Sequence, residues 1–321
     1  MQGLPATKLP FLLSEIRAAA QRQAEWLNRT PILRSSSVPG LYFKAENLQV
    51  TGSFKSRPAL EQLLALEDSE RRCGIVTSSS GNFAAAVAYW ARRLGLSATI
   101  VMMPSANPTK RSLAEAYGAR IVECEDRYEA RAETVARLQQ KEGLTPIHPF
   151  DTPGAVLGNA VLGWELVEEV PDCRRIVVPV SGGGLLAGIL AAVKLLRPEV
   201  EVWGVQPASS NAAYLSWQAG RRVSIDAART VADGLTATSP GDFTFSIIRE
   251  WADQMVVVSE TAILGATRSL IWKEKVLTEP AGAVSLAAIG EAVPEPAGTV
   301  CILTGGNLDP ALWNKLGPEG P

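Results

Sequence analysis

Residues 176–193 contain no charged side chain over a length close to the ~17–25 residues that cross a bilayer. Pro179 and the run Gly182-Gly183-Gly184 break this stretch internally. It therefore divides into a buried strand, a glycine turn and a buried helix, and this unit constrains the rest of the chain. Charge-free strands are buried on both faces, which requires a largely parallel sheet covered by helices. The neighbouring sequence supplies that pattern. Periodicity predicts helices over 13–27, from near residue 53, over 83–95, 108–118, 126–142, 157–170 and 185–196. It predicts strands over 40–47, 74–77, 98–103, 119–124, 175–180, 200–205 and 299–303. Strand and helix alternating at short intervals predict an α/β fold with open, mostly parallel sheets flanked by helices. Asn107 followed by Pro108 is expected to cap the helix over 108–118. The terminal GPEGP is expected to fray.

Composition narrows the function. Of 321 residues, 46% are hydrophobic and 20% charged, with net charge −2. That balance excludes a bulk basic field for nucleic acid or an anionic membrane, so neither is an expected partner. The segment at 10–13 is too short for a secretory signal, and the four cysteines form no C-x-x-C pair. A cytoplasmic protein with reduced, buried thiols is expected. One histidine, His148, excludes multi-histidine metal sites and most hydrolytic triads.

The sequence PVSGGGLLAG (179–188) places glycines between a strand and a helix. There the backbone can approach an anion, and the first N–H groups of the helix can bind it. Gly182, Gly184 and Ala187 also fit a dinucleotide fingerprint. That motif requires an acid at the far end of the next strand, where Val205-Gln206 stands, so a single phosphate is favoured. No Gly-Lys-Ser/Thr follows to make a Walker loop. ENLQVTGSFKSR (46–57) carries a turn at Thr51-Gly52-Ser53 and places Lys55 in the first turn of a helix. The positive end of the helix dipole disfavours charge on that lysine and favours the nucleophilic neutral amine.

SSSGN (78–82), HPFD (148–151), TVADGL (230–235), EPAGA (279–283) and LTGGN (303–307) follow in order. With the lysine segment and the glycine turn, they make the chain resemble the fold-type II, tryptophan synthase β-like pyridoxal-phosphate enzymes. The resemblance is strongest to the threonine dehydratase and serine racemase group, and it runs from residue 30 to residue 307. It implies two open sheets with pyridoxal 5'-phosphate in an interdomain cleft. The larger domain would combine 1–70 with 150–321, and the smaller would span 71–149. It also implies a homodimer and a small amino-acid substrate.

The resemblance further implies residue roles. Lys55 would bind the cofactor covalently and move the Cα proton, with Phe54 against the pyridine ring. Asn82 would donate to the phenolic oxygen. Gly182, Gly183, Gly184 and Leu185 would hold the phosphate, and Thr304 would face the pyridine nitrogen. Ser79, Ser80, Gly81 and Asn82 would surround the substrate, with Gly234 and Glu279 also lining the pocket. Ser80 would face Cα opposite the lysine, or else merely cap the helix that follows. A neutral partner such as Thr304 cannot keep the pyridine protonated, which favours loss of a β-substituent over a long-lived carbanion. The implied reaction is deamination of a β-hydroxy amino acid such as L-threonine or L-serine. Racemisation and β- or γ-replacement on the same scaffold are alternatives, and a non-enzymatic or nicotinamide-binding α/β protein is a third.

Departures from the pattern are Phe83 and Ala84 after Ser-Gly-Asn, Pro58 after Lys-x-Arg, and Gly158-Asn159-Ala160-Val161 in place of Gly-Gln-Gly-Thr. These changes are expected to cluster around the substrate. Gln206 replaces a cation-binding glutamate of the racemase-like members, with Ala212 and Ala213 near its partner's place, so no metal is expected.

Overall fold

A computed structural model of the chain describes residues 9–106, 108–226 and 229–317. The Asn107 cap and the tail at 318–321 lie outside the described residues. The charge-free run divides as its prolines and glycines dictate, into a strand at Arg175–Pro179 and a helix at Gly184–Leu196. Among the described residues, ten strands form two sheets. β1 (Ile32–Arg34), β2 (Leu41–Lys44), β7 (Arg175–Pro179), β8 (Glu201–Pro207), β9 (Gln254–Val258) and β10 (Thr299–Ile302) make a six-stranded sheet in the order β1-β2-β10-β7-β8-β9. Only β1 and β2 pair antiparallel, with Leu33 opposite Phe43. β3 (Ile75–Ser78), β4 (Ala98–Met102), β5 (Arg120–Glu123) and β6 (Thr145–Pro146) make an all-parallel sheet in the order β5-β4-β3-β6.

Helices cover the faces. The largest apolar cluster joins Ile176 and Val178 of β7 to Leu186, Ile189, Leu190 and Val193 of the glycine-turn helix. The helix Pro153–Glu169 packs against that helix so closely that a Cβ on Gly188 would lie 2.6 Å from the Asn159 side chain. Thr152 caps Pro153–Glu169 by accepting from the Ala155 N–H, and proline occupies its first turn. In the four-stranded unit the alanine-rich helix Asn82–Arg93 buries Phe83, Val87 and Trp90, and Gly95 follows it at φ +70°.

β9 and the helices Ala212–Ala219, Asp242–Trp251, Glu260–Trp272 and Pro280–Glu291 are elements that periodicity alone does not mark out. Of the four free thiols three are buried. Cys73, at the end of the helix Asp68–Cys73, is exposed, contrary to expectation. Among the described residues no helix is long and apolar enough to cross a membrane.

In an open parallel sheet, a crevice forms at the carboxyl ends of strands where the connections diverge. Here β7 leads through its helix to β8 on one side, and β10 enters on the other. The turns after β7 and β10 therefore meet over the edge of the sheet, facing the loop that leaves β3.

Candidate active site

A cavity of about 620 Å³ occupies this crevice. Its wall includes all thirteen residues that the sequence singled out, contributed by six separate segments.

Lys55 sits on the turn joining β2 to the helix Ser56–Leu64. The helix begins at Ser56, three residues later than the expected start near 53, so Lys55 occupies the N-cap position with helical backbone angles. The turn before it is built by Thr51 at φ +65° and Gly52 at φ +72°. The Lys55 amine donates to the Pro149 carbonyl at 3.4 Å and stands 4.8 Å from the centre of the Phe54 ring. Burial pulls its pKa down to about 8, which raises the fraction of neutral amine near neutral pH.

The lysine turn is laced to the turn after β10. Phe54 N–H donates to the Thr304 carbonyl at 3.0 Å, Ser53 bridges Gly305, and Gly306 N–H donates to the Gly52 carbonyl at 2.9 Å. Asn307 completes the seam by donating to the Thr51 carbonyl and to Asn82 Oδ1, both at 2.9 Å. Asn82 Nδ2 donates to Glu279 Oε1 at 2.5 Å, which fixes the amide's orientation and leaves its second N–H for another acceptor. The close approach explains Gly305, where a Cβ would lie 2.4 Å from Glu279 Oε1. The Thr304 hydroxyl donates to the Ala281 carbonyl at 3.2 Å and lines the cavity.

Glu279 is held by groups that the sequence did not identify. Lys110, on the helix Pro108–Ala116, reaches Asp233 at 2.7 Å and Glu279 Oε2 at 3.7 Å. Burial pushes Glu279 up to about 7, with Lys110 pulling down and Asp233 pushing up. Lys110 lies 123 residues from Asp233 and farther still from Glu279, so no local motif could reveal the cluster.

After β7, Gly183 adopts φ +97° at the N-cap of Gly184–Leu196. Behind the turn a Cβ on Gly182 would lie 2.4 Å from the Phe150 ring, and one on Gly183 2.7 Å from Ile248. The first N–H groups of a helix have no intrahelical acceptor, and here the residues that carry them, Gly184 and Leu185, line the cavity. A glycine cradle at a helix start, an amine of lowered pKa and the Thr304 hydroxyl in one cavity fit pyridoxal 5'-phosphate. The far end of β8 does not fit a dinucleotide. Gln206 is fully buried, donates to the Val180 carbonyl at 3.2 Å and accepts from the Tyr214 N–H at 2.8 Å.

Those same bonds occupy Gln206 where a cation ligand would be needed. Full activity is therefore expected in EDTA. Loss of activity that magnesium or calcium restores would contradict this.

Ser80 is not a helix cap. Gly81 holds the N-cap position of Asn82–Arg93 with no side-chain cap, and the Gly81 N–H donates to the Ser79 hydroxyl at 3.3 Å. The expected clustering of departures around the substrate does not hold. Phe83 lines the cavity, but Pro58, Asn159, Ala160 and Val161 do not, and Pro58 instead packs against the next helix, where a Cβ on Gly158 would lie 2.9 Å from Pro58 Cα.

A sequence profile of the family described as "Pyridoxal-phosphate dependent enzyme" matches residues 24–305. The chain is 38% identical to phenylserine dehydratase from Ralstonia pickettii, over 98% of each protein. It is 36% identical to L-threonine ammonia-lyase from Thermotoga maritima, over 96% of this chain and 78% of the relative. Maize serine racemase superposes with a TM-score of 0.90 at 34% identity, over 95% of this chain and 96% of that one. The shared fold, the matched profile and these identities place the chain among the fold-type II pyridoxal-phosphate-dependent enzymes, the family to which it belongs.

Proposed function

We propose that the chain is an ammonia-lyase that converts a β-hydroxy amino acid such as L-threonine or L-serine to a 2-oxo acid and ammonia. The observation that carries this is Lys55, an amine of lowered pKa sharing one cavity with the glycine cradle, the Ser79–Gly81 loop and Thr304. The bound cofactor supplies an electron sink for the bonds at Cα. In this reading Gly182, Gly183, Gly184 and Leu185 hold its phosphate through backbone N–H groups, Phe54 packs against its ring, and Asn82 donates to its phenolic oxygen. Thr304 meets the ring nitrogen as a neutral partner. Ser79, Ser80 and Gly81 receive the substrate carboxylate, Gly234 and Glu279 line the pocket, and Lys55 takes the Cα proton. The hydroxyl leaves Cβ as water, and hydrolysis of the resulting imine returns a water, so the net change is loss of ammonia.

The segment 71–149 is the smaller, substrate-side domain, and 1–70 with 150–321 is the larger one. A cytoplasmic homodimer completes the reading.

Racemisation is the second reading, and the Gly81 cap favours considering it, because it leaves Ser80 without a capping role. Lys55 serves one face of a planar adduct, and inversion at Cα requires an acid/base on the other. The test measures 2-oxo acid and D-isomer formation by the wild type and Ser80→Ala. With Ser80 as the second base, the substitution abolishes racemisation and D-isomer turnover and retains L-isomer deamination. Equal loss of both activities with the fold intact points to carboxylate binding instead. A wild type that releases no 2-oxo acid from any β-hydroxy amino acid contradicts the lyase assignment.

A further inference from the structure

Asp151, the last residue of the HPFD turn, takes no part in the chemistry above, yet each of its carboxylate oxygens holds a backbone N–H. It accepts from the Asp242 N–H at 2.9 Å and the Thr244 N–H at 3.1 Å, at the start of the helix Asp242–Trp251. That helix begins at Gly241, which has no side chain to cap it, so a carboxylate 91 residues away supplies the cap. Gly241 has to be glycine for this, since a Cβ there would lie 2.1 Å from Asp151 Oδ1.

The helix held in this way reaches the glycine cradle. Thr244 is fully buried, and its hydroxyl donates to the Gly182 carbonyl at 2.7 Å. The Gly241 N–H donates to the same carbonyl at 3.2 Å. A turn that binds an anion through N–H groups must keep its carbonyl oxygens turned away, because their partial charge repels the anion. Two donors pin the Gly182 carbonyl, next to the left-handed Gly183 that redirects the chain. The rest of the HPFD turn converges on the same place. His148 Nδ1 accepts from the Asp151 and Phe150 N–H groups at 2.8 and 3.3 Å, the Phe150 ring backs Gly182, and Pro149 receives Lys55.

We propose that Asp151 and Thr244 are positioning residues that hold the cradle in its phosphate-accepting form, so that retention of the cofactor phosphate depends on them. This rests on the assignment of Gly182–Leu185 to the phosphate.

The test follows cofactor release from gel-filtered holoenzyme, then re-titrates the depleted protein with pyridoxal phosphate and separately with pyridoxal, which lacks the phosphate. Thr244→Val is expected to weaken pyridoxal phosphate binding about tenfold, the effect of one buried hydrogen bond, and to leave pyridoxal binding unchanged. Thr244→Ser restores wild-type affinity. Asp151→Asn, at a half-buried position, reproduces the selective loss should the valine variant fold poorly. Equal affinity of wild type and both variants overturns the proposal, as does a parallel loss for the two ligands, which reports general destabilisation. A wild type without the cofactor's visible absorption overturns the cofactor assignment itself and the brace with it, an outcome distinct from a deficit confined to the variants.

Discussion

Lys55→Ala is expected to abolish the visible absorption of bound cofactor and to lower 2-oxo acid formation by about 10³-fold or more, the scale of a lost nucleophile and proton carrier. The fold should survive. The helix begins at Ser56, and the turn before it is held by backbone contacts to Thr304 and Gly306. The side chain itself contributes one long hydrogen bond to Pro149. Absorbance and a keto-acid assay on the same preparation read both effects, and circular dichroism confirms folding. A variant that keeps wild-type activity would rule out covalent catalysis by this lysine. A wild type without the absorption band would favour a non-enzymatic or nicotinamide-binding protein.

The sequence makes Lys55 legible because its setting is local. Thr51, Gly52 and Ser53 define a turn, and the same holds for the glycines after β7, where positive φ and a close ring leave room for no side chain. Charge patterning likewise exposes β7 and its helix. Groups whose meaning depends on distant partners are not legible in this way. Lys110 reads as an ordinary helix lysine until the fold brings it to Asp233 and Glu279. Asp151 belongs to a recognisable turn, but its helix starts 91 residues on. Departures from a family pattern mislead for the converse reason. Pro58 looks like a substrate-side change in sequence and proves to be part of a helix contact with Gly158.

Conversely, the cavity's electrostatics follow from packing rather than composition. The chain's net charge of −2 says nothing about a crevice that buries Lys55, Lys110 and Glu279 together. Burial lowers the first toward neutrality and raises the last toward it. Both shifts reduce the charge carried in the cleft near pH 7. His148 follows the same trend. Burial lowers its pKa, with Asp151 opposing and Lys55 assisting, so its Nδ1 stays available to accept from the turn.

The largest stability effect is expected at Arg57, two residues beyond the lysine. Its guanidinium is almost fully buried and bidentate to two carboxylates. It reaches Glu46 at 2.8 and 2.9 Å and Glu165 at 2.8 and 2.9 Å. Lys44 joins Glu165 at 2.9 Å and Glu169 at 2.7 Å, and the Thr30 hydroxyl donates to Glu46 at 2.5 Å. Burial alone would raise the Glu165 pKa, and Arg57 and Lys44 instead hold it below the usual range. The network ties β2, the Lys55 helix and Pro153–Glu169 into one unit. Arg57→Met removes the central cation and leaves Glu46 and Glu165 buried without it. Glu165 then keeps only Lys44, and Glu46 keeps only the Thr30 hydroxyl; removing one partner of a buried pair costs about 3–5 kcal/mol, because a buried carboxylate is left without its cation. Denaturant unfolding of the holoenzyme should show that loss as a lower midpoint at similar slope. Adding Glu46→Gln and Glu165→Gln to Arg57→Met should recover part of it, since the stranded charges are then gone, although Lys44 keeps only Glu169. A loss below about 1 kcal/mol for Arg57→Met would place the network among surface-like ion pairs of little consequence. A triple variant no more stable than Arg57→Met would show that the guanidinium acts through packing rather than charge.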